Sequence, residues 1–65
     1  MTSDEFRAAE RAIGGLSKRQ TAALLGVGET AVAGYRRGDS IPEPVARLMR
    51  LVARHPDLVR EVVGS

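Results

Sequence analysis

SKRQTAALLGVGETAVAGYRRG, running from Ser17 to Gly38, reads as two short helices joined by a Gly-Val-Gly corner. Ser17 and Gln20 have capping-box spacing: the hydroxyl accepts from the backbone N–H near Gln20 while the Gln20 amide reaches back to the start of the helix. Ala22, Ala23, Leu24 and Leu25 then supply a small, mostly apolar inner face. Gly26 stands where a left-handed C-cap ends a helix. Val27 is the one large apolar residue of the corner and is expected to plug the angle, with Gly28 as N-cap of the next helix. That second helix should run from about Glu29 to Arg37, closed by Gly38. Small residues at Ala22, Ala23, Ala31 and Ala33 let the two helices cross closely. The layout is that of a compact helix-turn-helix.

Upstream, Thr2 and Glu5 repeat the capping-box spacing, and Phe6, Ala9, Ala12, Ile13 and Leu16 recur at helical intervals. A first helix is expected from about Ser3 to Ile13, ended by Gly14 and Gly15. Downstream, Gly38 to Pro44 reads as a short loop, with Asp39 or Ser40 as cap and Pro42 or Pro44 in the first turn of a helix over Glu43 to His55. Its apolar set is Val45, Leu48, Met49 and Val52, while Arg47, Arg50 and Arg54 form a separate stripe. Pro56 disfavours helical geometry at His55 and can itself open a last helix ending at Val63. The expectation is an all-α, five-helix single domain over residues 1–65, with its helix-turn-helix core at 17–38. The helices at about 43–63 carry more apolar side chains than so small a core needs. A homodimer through Leu51, Leu58, Val59, Val62 and Val63 would cover them. The bland alternative folds them back on the first helix.

A chain of 65 residues is near the lower size limit for independent folding, so oligomerisation would help it. Hydrophobic residues make up 43%, yet there is one Phe, one Tyr and no Trp, which points to an aliphatic helical core. Without cysteine there is neither a disulfide framework nor a thiolate metal site, one histidine excludes most zinc sites, and no metal or cofactor is expected. MTSDEFRAAE lacks the basic and apolar regions of a signal peptide, and no stretch is long enough to span a membrane. With no cysteine, a reducing cytoplasm is the natural default. The net charge is only +2. It is unevenly placed: Ser17 to Gly38 holds Lys18, Arg19, Arg36 and Arg37 against Glu29 alone. A local cationic patch of this kind suits phosphate contact.

Other features have plainer readings. The Tyr35 ring is expected in the core, anchoring its helix, rather than on a phosphate. Arg47, Arg50 and Arg54 read as a solvated face. His55 is a helix C-terminal residue with no second ligand nearby. Asp57 and Glu61 complement the last helix or pair with Arg60. Paired carboxylates for catalysis would need a cleft that a chain this small can hardly form, so an enzyme is not expected.

The run LSKRQTAALLGVGETAVAGYRRGDSIPEP, Leu16 to Pro44, resembles the lambda-repressor-like Cro/CI (XRE) helix-turn-helix family. The resemblance is carried by Leu16, Ser17, Ala22, Leu24, Leu25, Gly26, Val27, Thr30 or Ala31, Val32, Tyr35, Arg37, Gly38 and Pro42. The short length and the Pro-Val-Arg-Leu-Met tail look most like compact phage and plasmid regulators, among them anti-CRISPR-associated repressors and antitoxins of the HigA and MqsA type.

The resemblance implies a domain that binds duplex DNA as a dimer, with the helix from Glu29 as recognition helix in the major groove. Carried over position by position, Gly28, Glu29, Thr30, Ala33 and Gly34 fall where the family places base-edge contacts. Ser17, Lys18, Arg19, Arg36, Arg37 and Ser40 fall at or near its phosphate contacts. The chain also departs from the pattern. Gly28 replaces the usual capping Ser, Arg36 replaces the usual acid after the aromatic residue, and Ala33 and Gly34 offer no side-chain hydrogen bond. Direct readout then rests on Glu29 and Thr30. Close approach of Ala33 and Gly34 would let Arg36 reach in or leave more recognition to DNA shape. A glycine inside a helix costs about 1 kcal/mol relative to Ala, so Gly34 implies a tight fit against something. The implied function is a homodimeric repressor on an inverted-repeat operator in double-stranded DNA, its own promoter included, in the cytoplasm of a bacterial or phage-infected cell and associated with the nucleoid. The alternatives are an antitoxin that also binds a toxin, or a protein-interaction module that has lost DNA affinity.

Overall fold

Five helices follow one another without strands among the described residues: α1 (Ser3–Ala12), α2 (Lys18–Leu25), α3 (Glu29–Arg37), α4 (Glu43–Arg54) and α5 (Asp57–Val63). The computed structural model describes residues 1–63, with side chains through Glu61. Both expected capping boxes are present. Thr2 accepts from the Glu5 N–H while Glu5 accepts from the Thr2 N–H, and Ser17 and Gln20 do the same for α2. Gly26 ends α2 at φ 70°, ψ 31°, a left-handed geometry that only glycine adopts without penalty, and the chain turns there into α3.

The start of α4 departs from the sequence reading. Its N-cap is Pro42, not Asp39 or Ser40, and Pro44 lies in the first turn. The fixed proline φ suits that position, and no N–H is sacrificed there. At the other end, Pro56 holds His55 out of the helix at φ −130°, ψ 69°, so α4 stops at Arg54 and α5 starts at Asp57.

Phe6, Val32, Ala46 and Met49 are fully enclosed, and Ile13, Ala22, Leu24, Leu25, Tyr35, Val52 and Val59 complete the core. Tyr35 is anchored as expected, its ring edge-on to Phe6 with centroids 5.6 Å apart. Ala23 is not on the inner face of α2 but exposed. With Thr21, Ala22, Leu24 and Leu25 all turned inward, 100° per residue leaves position 23 on the opposite side. The inner line of α4 is Ala46, Met49 and Val52, with Val45 and Leu48 at its margin.

α3 packs on α1 and α2, α4 lies along α1, and α5 returns onto α2. That return draws Val59 into the protomer's own core, at 5% exposure, so it is not available as surface for a dimer. Leu51 and Leu58 are exposed, at 48% and 38%, while the side chains of Val62 and Val63 lie outside the described residues. No helix among the described residues is long and apolar enough to cross a membrane.

Candidate nucleic-acid interface

Two neighbouring helix starts hold the polar groups of the candidate site. At α2, the reciprocal cap occupies the N–H groups of Ser17 and Gln20, leaving those of Lys18 and Arg19 without intrahelical partners. Their side chains are exposed and in no ion pair among the described residues, whereas Arg47 and Arg50 both lie against Glu43. Cations and outward-pointing backbone donors at one helix end form an anion-binding arrangement. The Ser17 hydroxyl accepts from Gln20 and keeps its own proton to donate. At α3, Gly28 supplies no side-chain cap, so the donors of its first turn are uncovered.

The outer face of α3 presents Glu29, Thr30 and Arg37, all exposed, with Ala33 half-buried between them. Val32 and Tyr35 point inward and hold the helix to the core. A second tie comes from Ser3, whose hydroxyl donates to the Tyr35 carbonyl at 2.5 Å and joins the start of α1 to the last turn of α3. Ser40 is exposed in the loop beyond.

Arg36, expected at a phosphate, is instead turned toward α1. Its Nε donates to Glu10 Oε1 at 2.9 Å and its Nη2 donates to Oε2 at 2.5 Å and to the Leu16 carbonyl at 3.4 Å. Glu10 is 5% exposed and also accepts from the Thr21 hydroxyl at 3.0 Å, with Thr21 fully enclosed. Hydrogen bonding to Glu10 raises the Arg36 pKa above its ordinary value, so the guanidinium stays charged. One carboxylate on α1 thereby ties down α2 and α3 together. With a base at the position after Tyr35, the acid of the pair stands on the facing helix. Nη1 has no protein partner among the described residues and is the one edge of Arg36 left for an outside group.

Gly34, expected at a base edge, is buried. A methyl group there would overlap the Asp39 carboxylate and stand 3.2 Å from its Cγ. This is the tight fit that a mid-helix glycine implied, and its partner is the protein's own loop. Asp39 is placed by the end of α3: Gly38, at φ 126°, lets the N–H groups of Gly38 and Asp39 both donate to the Gly34 carbonyl, at 3.1 and 2.9 Å.

Sequence reasoning gave no site role to Glu10 or Thr21 and took Asp39 only as a candidate helix cap. Glu10 carried a signal: it lies four residues after Phe6 and three before Ile13, an acid on the apolar stripe of α1, while position 36 held a base where an acid is usual. Thr21 likewise interrupts the inner face of α2. Nothing in the sequence placed Asp39 over Gly34, because that depends on how the loop folds back.

Residues 2–63 match the sequence model of a family described as the antitoxin component of a bacterial toxin-antitoxin system, MqsA. No curated protein and no solved structure matches the chain.

Proposed function

The chain belongs to the MqsA antitoxin family, and from that premise we propose that it is a DNA-binding antitoxin that represses transcription by occupying an operator in its own promoter. The observation that carries this reading is the exposed outer face of α3, with Glu29, Thr30 and Arg37, beside Lys18 and Arg19 at the start of α2, which are in no ion pair among the described residues. In this reading the cations and the Ser17 and Ser40 hydroxyls set affinity at phosphates, while Glu29 accepts from cytosine N4 and Thr30 meets a thymine methyl or a base edge. Ala33 contributes close backbone approach. The protein would act in the bacterial cytoplasm, on the nucleoid.

Two copies joined through the region of Leu51 and Leu58 would set recognition helices about 34 Å apart, matching half-sites one helical turn apart in an inverted repeat. Fluorescence anisotropy against the DNA upstream of the gene and a scrambled duplex, at several salt concentrations, tests the proposal. With three cations per subunit at phosphates, log K against log salt should fall with a slope of about −5. Equal or absent binding to the two duplexes would overturn it.

A second reading is favoured by the family description, which names a toxin-antitoxin system. A toxin, and not a second copy, would then cover Leu51 and Leu58. Sedimentation separates the two: a dimer in isolation supports the first arrangement, and a monomer that becomes a heterodimer with the toxin supports the second.

A further inference from the structure

We propose that Asp39, a loop residue outside α3, is a sequence-reading residue of the DNA interface, standing in for the side chain that Gly34 lacks. This rests on the DNA-binding reading above. At 100° per residue, Gly34 lies 40° around α3 from Thr30 and 60° from Arg37, at the margin of the exposed face. In the direction where its side chain would project, the nearest atoms all belong to Asp39. The chain therefore presents a carboxylate at that margin without anchoring it in the helix.

The placement is specific. The two backbone bonds from Gly38 and Asp39 to the Gly34 carbonyl fix the Asp39 backbone over the last turn. The carboxylate accepts no hydrogen bond from another group among the described residues, and its side chain is 65% exposed. Its charged neighbour there is Arg37, whose Nη2 lies 3.8 Å from Oδ2. A carboxylate facing duplex DNA is repelled by phosphates unless it meets a donor. In the major groove, the donors are the exocyclic amines of cytosine and adenine, and an acidic side chain accepts from cytosine N4. Asp39 thus supplies the acceptor that Ala33 and Gly34 cannot.

The test is selection of preferred sites from a random duplex library, followed by competition binding, for the wild type, Asp39→Ala, Asp39→Asn and Gly34→Ala, with folding checked by circular dichroism. Asp39→Ala should lose about tenfold of discrimination at one base pair per half-site while other positions keep theirs. Asp39→Asn should change the preferred base there, because an amide pairs with adenine. Gly34→Ala, which displaces the carboxylate but leaves it in the chain, should lose preference at that same base pair. If Asp39→Ala instead binds all sequences more tightly by one common factor, Asp39 is only a repulsive charge and the inference is overturned. A wild type that binds no DNA overturns the DNA-binding reading itself and this inference with it.

Discussion

Glu10 is the residue whose removal should be felt most widely, because its one side chain holds Thr21 on α2 and Arg36 on α3. Breaking a buried pair from one side leaves the other partner uncompensated, typically at about 3–5 kcal/mol. Here the Arg36 side chain is 33% exposed and can turn to water. We therefore expect Glu10→Ala to lower stability by about 3 kcal/mol, seen as a fall of roughly 12–24 °C in thermal midpoint. Thr21→Val removes a single bond and should lose about 1 kcal/mol. An equal effect of the two would contradict the assignment of Glu10 as the shared hub. Gly34→Ala belongs to the same scale. Its gain of about 1 kcal/mol in helix propensity is set against the turning of the exposed Asp39 side chain, so its stability should change little even though its DNA preference changes.

Individual helices depend on their ends. Glu5 accepts from the Thr2 N–H at the start of α1, and that hydrogen bond, foremost, lowers its pKa below the ordinary glutamate range. A lowered folded-state value means the cap contributes stability above the unfolded pKa and loses it as pH falls through the folded one. NMR titration should find the Glu5 carboxyl below the ordinary range in the wild type and only part of the way back in Thr2→Ala, which removes the hydroxyl but keeps the backbone N–H that donates to it. For α2, Ser17→Ala should cost about 1 kcal/mol by denaturant unfolding. It should also weaken DNA binding, since the same cap orients the free N–H groups of Lys18 and Arg19. Replacing Lys18 or Arg37 by Ala in each subunit should make the salt slope shallower by about 2 for the dimer, one unit for each phosphate no longer neutralised. An unchanged slope would remove that residue from the phosphate-binding set.

At the scale of the whole molecule, α5 divides its apolar side chains between two uses. Val59 closes the protomer's core against α2, while Leu58 and, on α4, Leu51 are left exposed. Glutamate at Leu51 and Leu58 together should therefore leave the fold intact and abolish association with whatever partner covers them. Sedimentation equilibrium of this variant should give a monomer with a wild-type circular dichroism spectrum, and loss of the helical spectrum would show that these residues belong to the core. A monomer should also bind the operator far more weakly, because the second half-site no longer adds to affinity through the linkage.

Helix number, the two capping boxes, the Gly26 corner and the span of α3 were legible from the sequence, because caps, glycine C-caps and apolar periodicity act over four residues or fewer. The exposed cations at Lys18, Arg19 and Arg37 were legible for the same reason. Tertiary structure alone decided the rest: that Arg36 serves Glu10, that Val59 turns inward, and that Asp39 covers Gly34. Each of these depends on which side chain meets which across a helix crossing or a returning loop. Local pattern records the type of a residue and its phase on a helix, but partners distant in sequence are chosen by packing in three dimensions.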